Sequence, residues 1–185
     1  MNKDDFKPFE QKMKKTISVL KDDLAGLRAG RANPAILEKI TVDYYGVPTP
    51  ITQIGSVSVP EARVILIQPW EARMLGEIEK AIQKSDIGIN PNNDGKVLRL
   101  IFPPLTEERR KELTKIVKKN GEDAKVAIRA IRRDALEQFK AQKKEGSITE
   151  DDLKDAEKEI QNLTDKFIEE IDKIVEAKNN EILEV

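Results

Sequence analysis

The residues best suited to binding chemistry are four cations within one predicted helix: Lys125, Arg129, Arg132 and Arg133. The i, i+4, i+7 spacing of Lys125, Arg129 and Arg132 places them on one helix face. Three of the four are arginines, whose planar guanidinium groups can hold a phosphate through two hydrogen bonds. Two interpretations fit this pattern, a phosphate- or RNA-binding face and a solvated charged surface without a function.

Other kinds of site lack the residues they would need. The chain has 185 residues and contains neither Cys nor His. Thiolate catalysis and Cys-ligated zinc are therefore excluded, and the commonest general base and metal ligand are missing. Gly88 and Gly95 are separated by six residues rather than the four of a phosphate loop, and Val97 stands where Ser or Thr is required. We predict no metal, no cofactor, no catalytic residue and no enzymatic activity.

Three segments show the apolar periodicity of long helices. In residues 1–30, apolar side chains from Phe6 to Leu27 recur every three or four positions, which is the spacing of helices that pack together. A second stripe runs from Leu113 through Asn120 to Phe139, and we predict one helix across Asn120-Gly121 because the stripe resumes in register. A third stripe runs from Leu153 to Ile174. Burial of these stripes against one another predicts a long antiparallel three-helix bundle.

Residues 31–105 differ in composition and interrupt the bundle. Pro-rich stretches alternate with β-rich runs at Ile40–Tyr45, Val57–Val59, Arg63–Gln68 and Val97–Phe102, and Pro69–Ser85 predicts an amphipathic helix with Trp70 in the core. The fold class is therefore α+β. The bundle comprises residues 1–30 and 106–185, and residues 31–105 form an inserted β/α/β domain. Hinges are predicted near 30–32 and 103–105, at Gly30, Arg31, Ala32, Pro103, Pro104 and Leu105.

The charge is distributed unevenly along the chain. Residues 106–146 contain thirteen basic and eight acidic residues, whereas residues 147–185 contain five basic and thirteen acidic residues. The second bundle helix is therefore basic and the third acidic, which favours their pairing. No apolar run approaches the roughly 18 residues of a membrane span, and the N-terminus lacks the apolar core of a signal peptide. We expect a cytoplasmic protein.

Three longer motifs resemble those of the ribosome recycling factor family. They are residues 26–34 (GLRAGRANP), 97–110 (VLRLIFPPLTEERR) and 125–135 (KVAIRAIRRDA). Their order and the chain length also match the family, so the resemblance covers essentially all of the chain. Ala130 departs from the Asn found in many members and cannot make the same polar contact.

The resemblance implies a fold and a function. The family folds as a three-helix bundle and a β/α/β domain joined by two hinge strands into an L shape. It implies a translation factor, not an enzyme, which splits the post-termination complex together with elongation factor G and releases ribosomes from mRNA. The implied partners are elongation factor G and large-subunit rRNA near the subunit interface. We expect no DNA or membrane partner, and a monomer.

The resemblance also assigns roles to residues. Family contacts to rRNA map onto Arg129, Arg132 and Arg133, with Arg28 and Arg31 near the first hinge, and Lys125 belongs to the same basic face. The alternative is a coiled-coil adaptor or chaperone that grips protein partners through its helical tips. Co-sedimentation with ribosomes separates the two functions, because an adaptor would not sediment with them.

Overall fold

Residues 2–27 and 30–183 are described in the computed structural model of the chain, and they separate into two units. Residues 2–27 and 106–183 form the bundle, and residues 30–105 form the β/α/β unit. The helices of this part of the chain are α1 (Lys7–Ala25), α2 (Met74–Lys84), α3 (Glu107–Lys144) and α4 (Glu150–Leu183). The fold therefore has the predicted α+β class.

The bundle is built from α1, α3 and α4, whose apolar stripes face each other. A short 3-10 turn, Lys3–Phe6, leads into α1, which buries Phe9, Met13, Ile17, Leu20 and Leu24. The helix ends at Ala25 rather than near Gly30, so the first predicted helix is too long at its C-terminal end. On α4, Ile171 is buried and continues the stripe beyond Phe167.

The Asn120-Gly121 step does not interrupt α3, which is one helix of 38 residues. The buried member of the pair is Gly121, whereas Asn120 is half-buried, so the predicted position of Asn120 on the stripe is wrong by one residue. A Cβ atom at position 121 would lie 2.6 Å from Cγ2 of Val175 on α4. Glycine thus allows the two helices to approach closely here, which offsets its low helix propensity.

The turn before α4 is closed by local hydrogen bonds. The backbone amide of Asp152 donates to Oγ1 of Thr149 at 3.1 Å, and the backbone amide of Thr149 donates to Oδ2 of Asp152 at 2.9 Å. This is the capping box predicted for a Thr three residues before an Asp. The hydroxyl of Thr149 also donates to Oδ2 of Asp152 at 2.8 Å, and the two hydrogen bonds that this carboxylate accepts from the amide and hydroxyl of Thr149 lower the pKa of Asp152.

The β/α/β unit contains two antiparallel sheets. Strands β1 (Thr41–Tyr44) and β2 (Val47–Pro50) form a hairpin, and a four-stranded sheet has the order β3-β4-β6-β5, with β3 at Gly55–Glu61, β4 at Val64–Pro69, β5 at Asn92–Asn93 and β6 at Leu98–Ile101. Strands β2 and β5 were not predicted from the sequence. Prolines in β2 obscured its pattern, but they are compatible with a strand that pairs on one side only.

One hydrophobic core lies between the sheets and α2. The inward residues of α2 are Met74, Leu75, Ile78 and Ile82, and they pack in a cluster with Ile65, Ile67, Leu98 and Leu100 from the four-stranded sheet. The helix begins at Met74, five residues after the predicted start. Trp70 consequently precedes the helix and is 69% exposed, so its predicted place in the core is wrong.

Candidate nucleic-acid interface

The middle of α3 exposes two of the predicted arginines. This stretch is rich in Ala and Arg, both strong helix formers, and its apolar side is held by buried Ala124, Ile128 and Ala135. Arg129 and Arg133 are exposed one turn apart on the opposite side. Across residues 2–27 and 30–183, neither arginine forms an ion pair. Their charges are thus available to a ligand.

Arg132 differs from its two neighbours. Its side chain is half-buried, and its Nε is buried without a hydrogen-bond partner in the described part of the chain. A guanidinium in this position contributes its stem to packing as well as its charge to the surface. The three arginines therefore do not form one uniform surface.

Lys125 makes ion pairs within the bundle. Its side chain is 17% exposed, and Nζ lies 2.6 Å from Oδ1 of Asp172 on α4 and 3.6 Å from Oε1 of Glu122. The hydrogen bond to Asp172 raises the pKa of Lys125. Lys125 has the helical spacing predicted for a common face with the arginines. Its ion pair with Asp172, however, directs the ammonium group toward α4, at the edge of the arginine surface.

The predicted hinge residues are only partly described. Arg28 lies outside the described residues. Gly30 has a φ of 77°, which favours glycine, and Arg31 is exposed. The amide of Ala32 donates to the carbonyl of Ala62 at 2.8 Å, which ties this segment to the β/α/β unit.

The second predicted hinge segment follows β6. The amide of Phe102 donates to the carbonyl of Arg63 at 2.8 Å, immediately before the segment begins. Pro103 and Pro104 are exposed and Leu105 is half-buried. Prolines restrict the backbone and donate no hydrogen bond, so they end the strand at this point.

A polar cluster at the tip of the hairpin was not predicted. The hydroxyl of Tyr44 donates to Oε1 of Glu71 at 2.5 Å, the hydroxyl of Tyr45 donates to Oε2 at 3.3 Å, and Nε of Arg73 donates to Oε2 at 2.8 Å. The hydrogen bond from Tyr44, followed by that from Arg73, lowers the pKa of Glu71. The same bond to Glu71 raises the pKa of Tyr44.

Tyr44 and Tyr45 both reach Glu71, although adjacent residues of a strand ordinarily point to opposite faces. Tyr45 lies in the turn and has a φ of 51°, and Gly46 has a φ of 81°. Two consecutive positive φ values are typical of a two-residue hairpin turn. The rings meet at 4.7 Å, and the Arg73 guanidinium lies 4.0 Å from the Tyr45 ring centroid. The Tyr-Gly turn was the sequence signal that could have revealed this arrangement.

The other motifs carry no site in the described residues. The carboxylate of Asp94 accepts hydrogen bonds from the amides of Lys96 and Val97 at 3.0 and 2.9 Å, so residues 94–97 form the turn between β5 and β6. Residues 2–27 and 30–183 contain no group of three acidic, His or Cys side chains arranged to hold a metal ion. None of the helices in these ranges is both long and apolar enough to cross a membrane.

Comparison with known proteins decides the family. The family model described as ribosome recycling factor matches residues 20–183. The ribosome-recycling factor of Acetivibrio thermocellus is 75% identical over 182 residues, which cover 98% of this chain and 100% of that protein. This chain belongs to the ribosome recycling factor family. The factor of Caldicellulosiruptor bescii is 69% identical over 176 residues, covering 95% of this chain and 96% of the relative.

Solved structures of ribosome recycling factors share the fold. A solution structure of a ribosome recycling factor is 46% identical, covers 100% of both chains and has a TM-score of 0.75. A second structure, of the T. thermophilus factor, is 47% identical, covers 98% of each chain and has a TM-score of 0.62. That structure contains models of the T. thermophilus factor and E. coli elongation factor G bound to the E. coli post-termination complex.

Proposed function

We propose that this protein recycles ribosomes after termination. Together with elongation factor G it splits the post-termination complex and releases the ribosome from mRNA. The observation that carries this proposal is the family match across almost the whole chain, at 75% identity to the A. thermocellus factor. The structure of the T. thermophilus relative, bound with elongation factor G to the post-termination complex, supports the same partners. The protein acts as a monomer in the cytoplasm, where its ribosomal partner lies.

The factor performs no reaction of its own. It binds neither nucleotide nor metal, and the free energy for splitting comes from GTP hydrolysis on elongation factor G. The lack of Cys and His supports this part of the proposal, because the residues that most often perform acid–base or metal chemistry are missing. Calorimetry with GTP, ATP, magnesium and calcium is expected to show no specific heat of binding, and a saturable nucleotide site would contradict the proposal.

The arginine surface of α3 binds rRNA of the large subunit near the subunit interface. Arg129 and Arg133 are exposed without ion pairs, and each can hold a phosphate through two parallel hydrogen bonds. Arg132 adds a third charge from its half-buried position, and Arg28 and Arg31 extend the contact near the first hinge. Lys125 supports the surface through its ion pair with Asp172, which ties α3 to α4 at 2.6 Å.

Residues 30–32 and 103–105 act as the hinge between the units. Gly30 has a backbone conformation that few other residues adopt, and the prolines at 103 and 104 end β6. Rotation about two short linkers is a known way for a domain to respond to a partner. Elongation factor G pushes on the β/α/β unit, and the bundle conveys the displacement because long packed helices resist bending.

The function is tested by ribosome splitting. Light scattering of post-termination complexes is expected to fall when this protein, elongation factor G and GTP are present together, and to stay constant when any one is omitted. Replacement of Arg129 and Arg133 by Ala is expected to weaken both ribosome binding and splitting, whereas Lys118→Ala, an exposed control on α3, is expected to change neither. Failure of the intact protein to sediment with ribosomes would favour the adaptor function.

A further inference from the structure

An exposed apolar residue lies within the arginine surface. Val126 is 57% exposed on α3, three positions before Arg129 and seven before Arg133, so the three side chains share one helix face. A β-branched residue on the surface of a helix is less favourable than Ala, because its side chain loses rotational freedom. Val126 does not belong to the buried residues of α3, so packing within the bundle does not explain its presence.

We infer that Val126 is an RNA-contact residue that packs against ribose carbons of the strand whose phosphates Arg129 and Arg133 hold, on the N-terminal side of both arginines. The inference rests on the proposed rRNA binding of α3 and adds an apolar, shape-dependent contact to it. The two arginines are separated by four positions, which is about 6 Å along the helix axis. Val126 can therefore reach the sugar surface of the same strand whose phosphates the arginines bind.

Charge favours RNA over a protein partner. Arg129 and Arg133 have no acidic partner in the described residues, and Glu122, one turn before Val126, is partly neutralised by Lys125 at 3.6 Å. The apolar area on this face is one valine beside the half-buried Ala130. That is too small for the desolvated centre of a protein interface, which is built from several large side chains.

Shape favours an RNA helix over a DNA helix. The minor groove of A-form RNA is wide and shallow and displays ribose groups. The minor groove of B-DNA is only about 6 Å wide, whereas a helix with its side chains is about 10 Å across. A helix face with a short apolar residue one turn before two arginines therefore matches the sugar-phosphate surface of RNA.

The test compares Val126→Ala with Val19→Ala in the full-length protein, using large ribosomal subunits as the probe. Val19 is a matched control, because it is a 51% exposed valine on α1 of the same bundle. Val126→Ala is expected to weaken binding roughly threefold to tenfold without changing the slope of log affinity against log salt. Val126→Ile is expected to retain the affinity of the original protein. Equal effects of the two Ala substitutions, or no effect of Val126→Ala, would overturn the inference.

Two further arms identify the contacted molecule. Arg129→Ala is expected to weaken binding and to flatten the salt slope by about one unit. If Arg129→Ala has this effect and Val126→Ala has none, the inference fails while the arginine site stands; if neither has an effect, the proposed site itself fails. With short duplexes of one sequence, Val126→Ala is expected to reduce the preference for RNA over DNA. An unchanged preference would contradict ribose packing.

Discussion

The β/α/β unit gathers its buried residues into one core, whereas the bundle distributes them along three helices. Ile65, Ile67, Ile78 and Leu98 belong to one cluster that joins α2 to the four-stranded sheet. In the bundle, Phe9, Phe139 and Ile160 belong to a cluster of six buried residues. Each strand of the β/α/β unit depends on partners distant in sequence, but each turn of a bundle helix has its own local hydrogen bonds. The bundle is therefore expected to tolerate local damage better.

The two units also use charge differently. In the β/α/β unit, Glu71 accepts hydrogen bonds from Tyr44, Tyr45 and Arg73, so its charge holds the hairpin to the start of α2. In the bundle, Arg129 and Arg133 remain exposed without ion pairs in the described residues. The comparison indicates that the charges of the hairpin cluster serve the fold, whereas those of Arg129 and Arg133 are available for binding.

Truncation of a buried residue is the strongest test of this comparison. Ile67→Ala is expected to destabilise the β/α/β unit by about 2–5 kcal/mol, because it leaves a cavity in a core where Ile67 is fully buried. Hydrogen exchange should then show lost protection in residues 30–105 and retained protection in α1, α3 and α4. Ile128→Ala, the matched change in the bundle, should leave the β/α/β unit protected. Simultaneous loss of protection in both units would show that they unfold as one.

Ribosome affinity and melting temperature together distinguish the half-buried Arg132 from the exposed Arg133. Arg132→Ala and Arg133→Ala are each expected to weaken ribosome binding by about 1.5–3 kcal/mol, the range for a hydrogen bond to a charged group. Only Arg132→Ala is expected to lower the melting temperature, because its stem is packed on the bundle. Arg132→Lys should not restore affinity, since an ammonium group lacks the planar fork. Identical melting temperatures for the two Ala variants would place both residues on the open surface.

The close approach of α3 to α4 at Gly121 is tested by adding a methyl group at that position. Gly121→Ala is expected to destabilise the bundle by about 1–2 kcal/mol, because the new Cβ lies 2.6 Å from Val175 Cγ2 and this strain exceeds the gain in helix propensity. Val175→Ala in the same protein should relieve the strain, which a double-mutant cycle in urea would measure. Gly76→Ala is the control, because open space surrounds Gly76 on α2, and it should stabilise that helix. A stabilising Gly121→Ala would mean that the helices separate easily.

The smallest expected effect is the acid sensitivity of the hairpin cluster. The pKa of Glu71 is lowered in the fold, so its contribution to stability is present above the unfolded value of about 4.3 and is lost as the pH falls through the folded value. Glu71→Gln should therefore reduce the loss of stability of the β/α/β unit on acidification, measured by urea unfolding. The raised pKa of Tyr44 has the opposite sign, with stability lost as the pH rises above about 10. An unchanged acid response in Glu71→Gln would show that the cluster does not hold the hairpin.

Local patterns in the sequence were sufficient for the three bundle helices, apart from the C-terminal end of α1, and for the family. The 3.5-residue stripes predicted α1, α3 and α4, and the Thr149–Asp152 spacing predicted the cap of α4. These features could be predicted because each depends on residues within a few positions of one another. The three long motifs indicated the family in the same way, because each is a contiguous stretch of the sequence.

Only the tertiary structure decided which side chains are accessible. Lys125 and Arg129 are one turn apart on the same helix, yet one is paired with Asp172 and the other is exposed. Trp70 is exposed because α2 begins after it, and Gly121 is required because Val175 lies opposite. Helical periodicity determines the face on which a residue lies, but the rotation and axial register of the packed helices determine what that face meets. Those two quantities depend on the packing of the whole core and not on any local pattern.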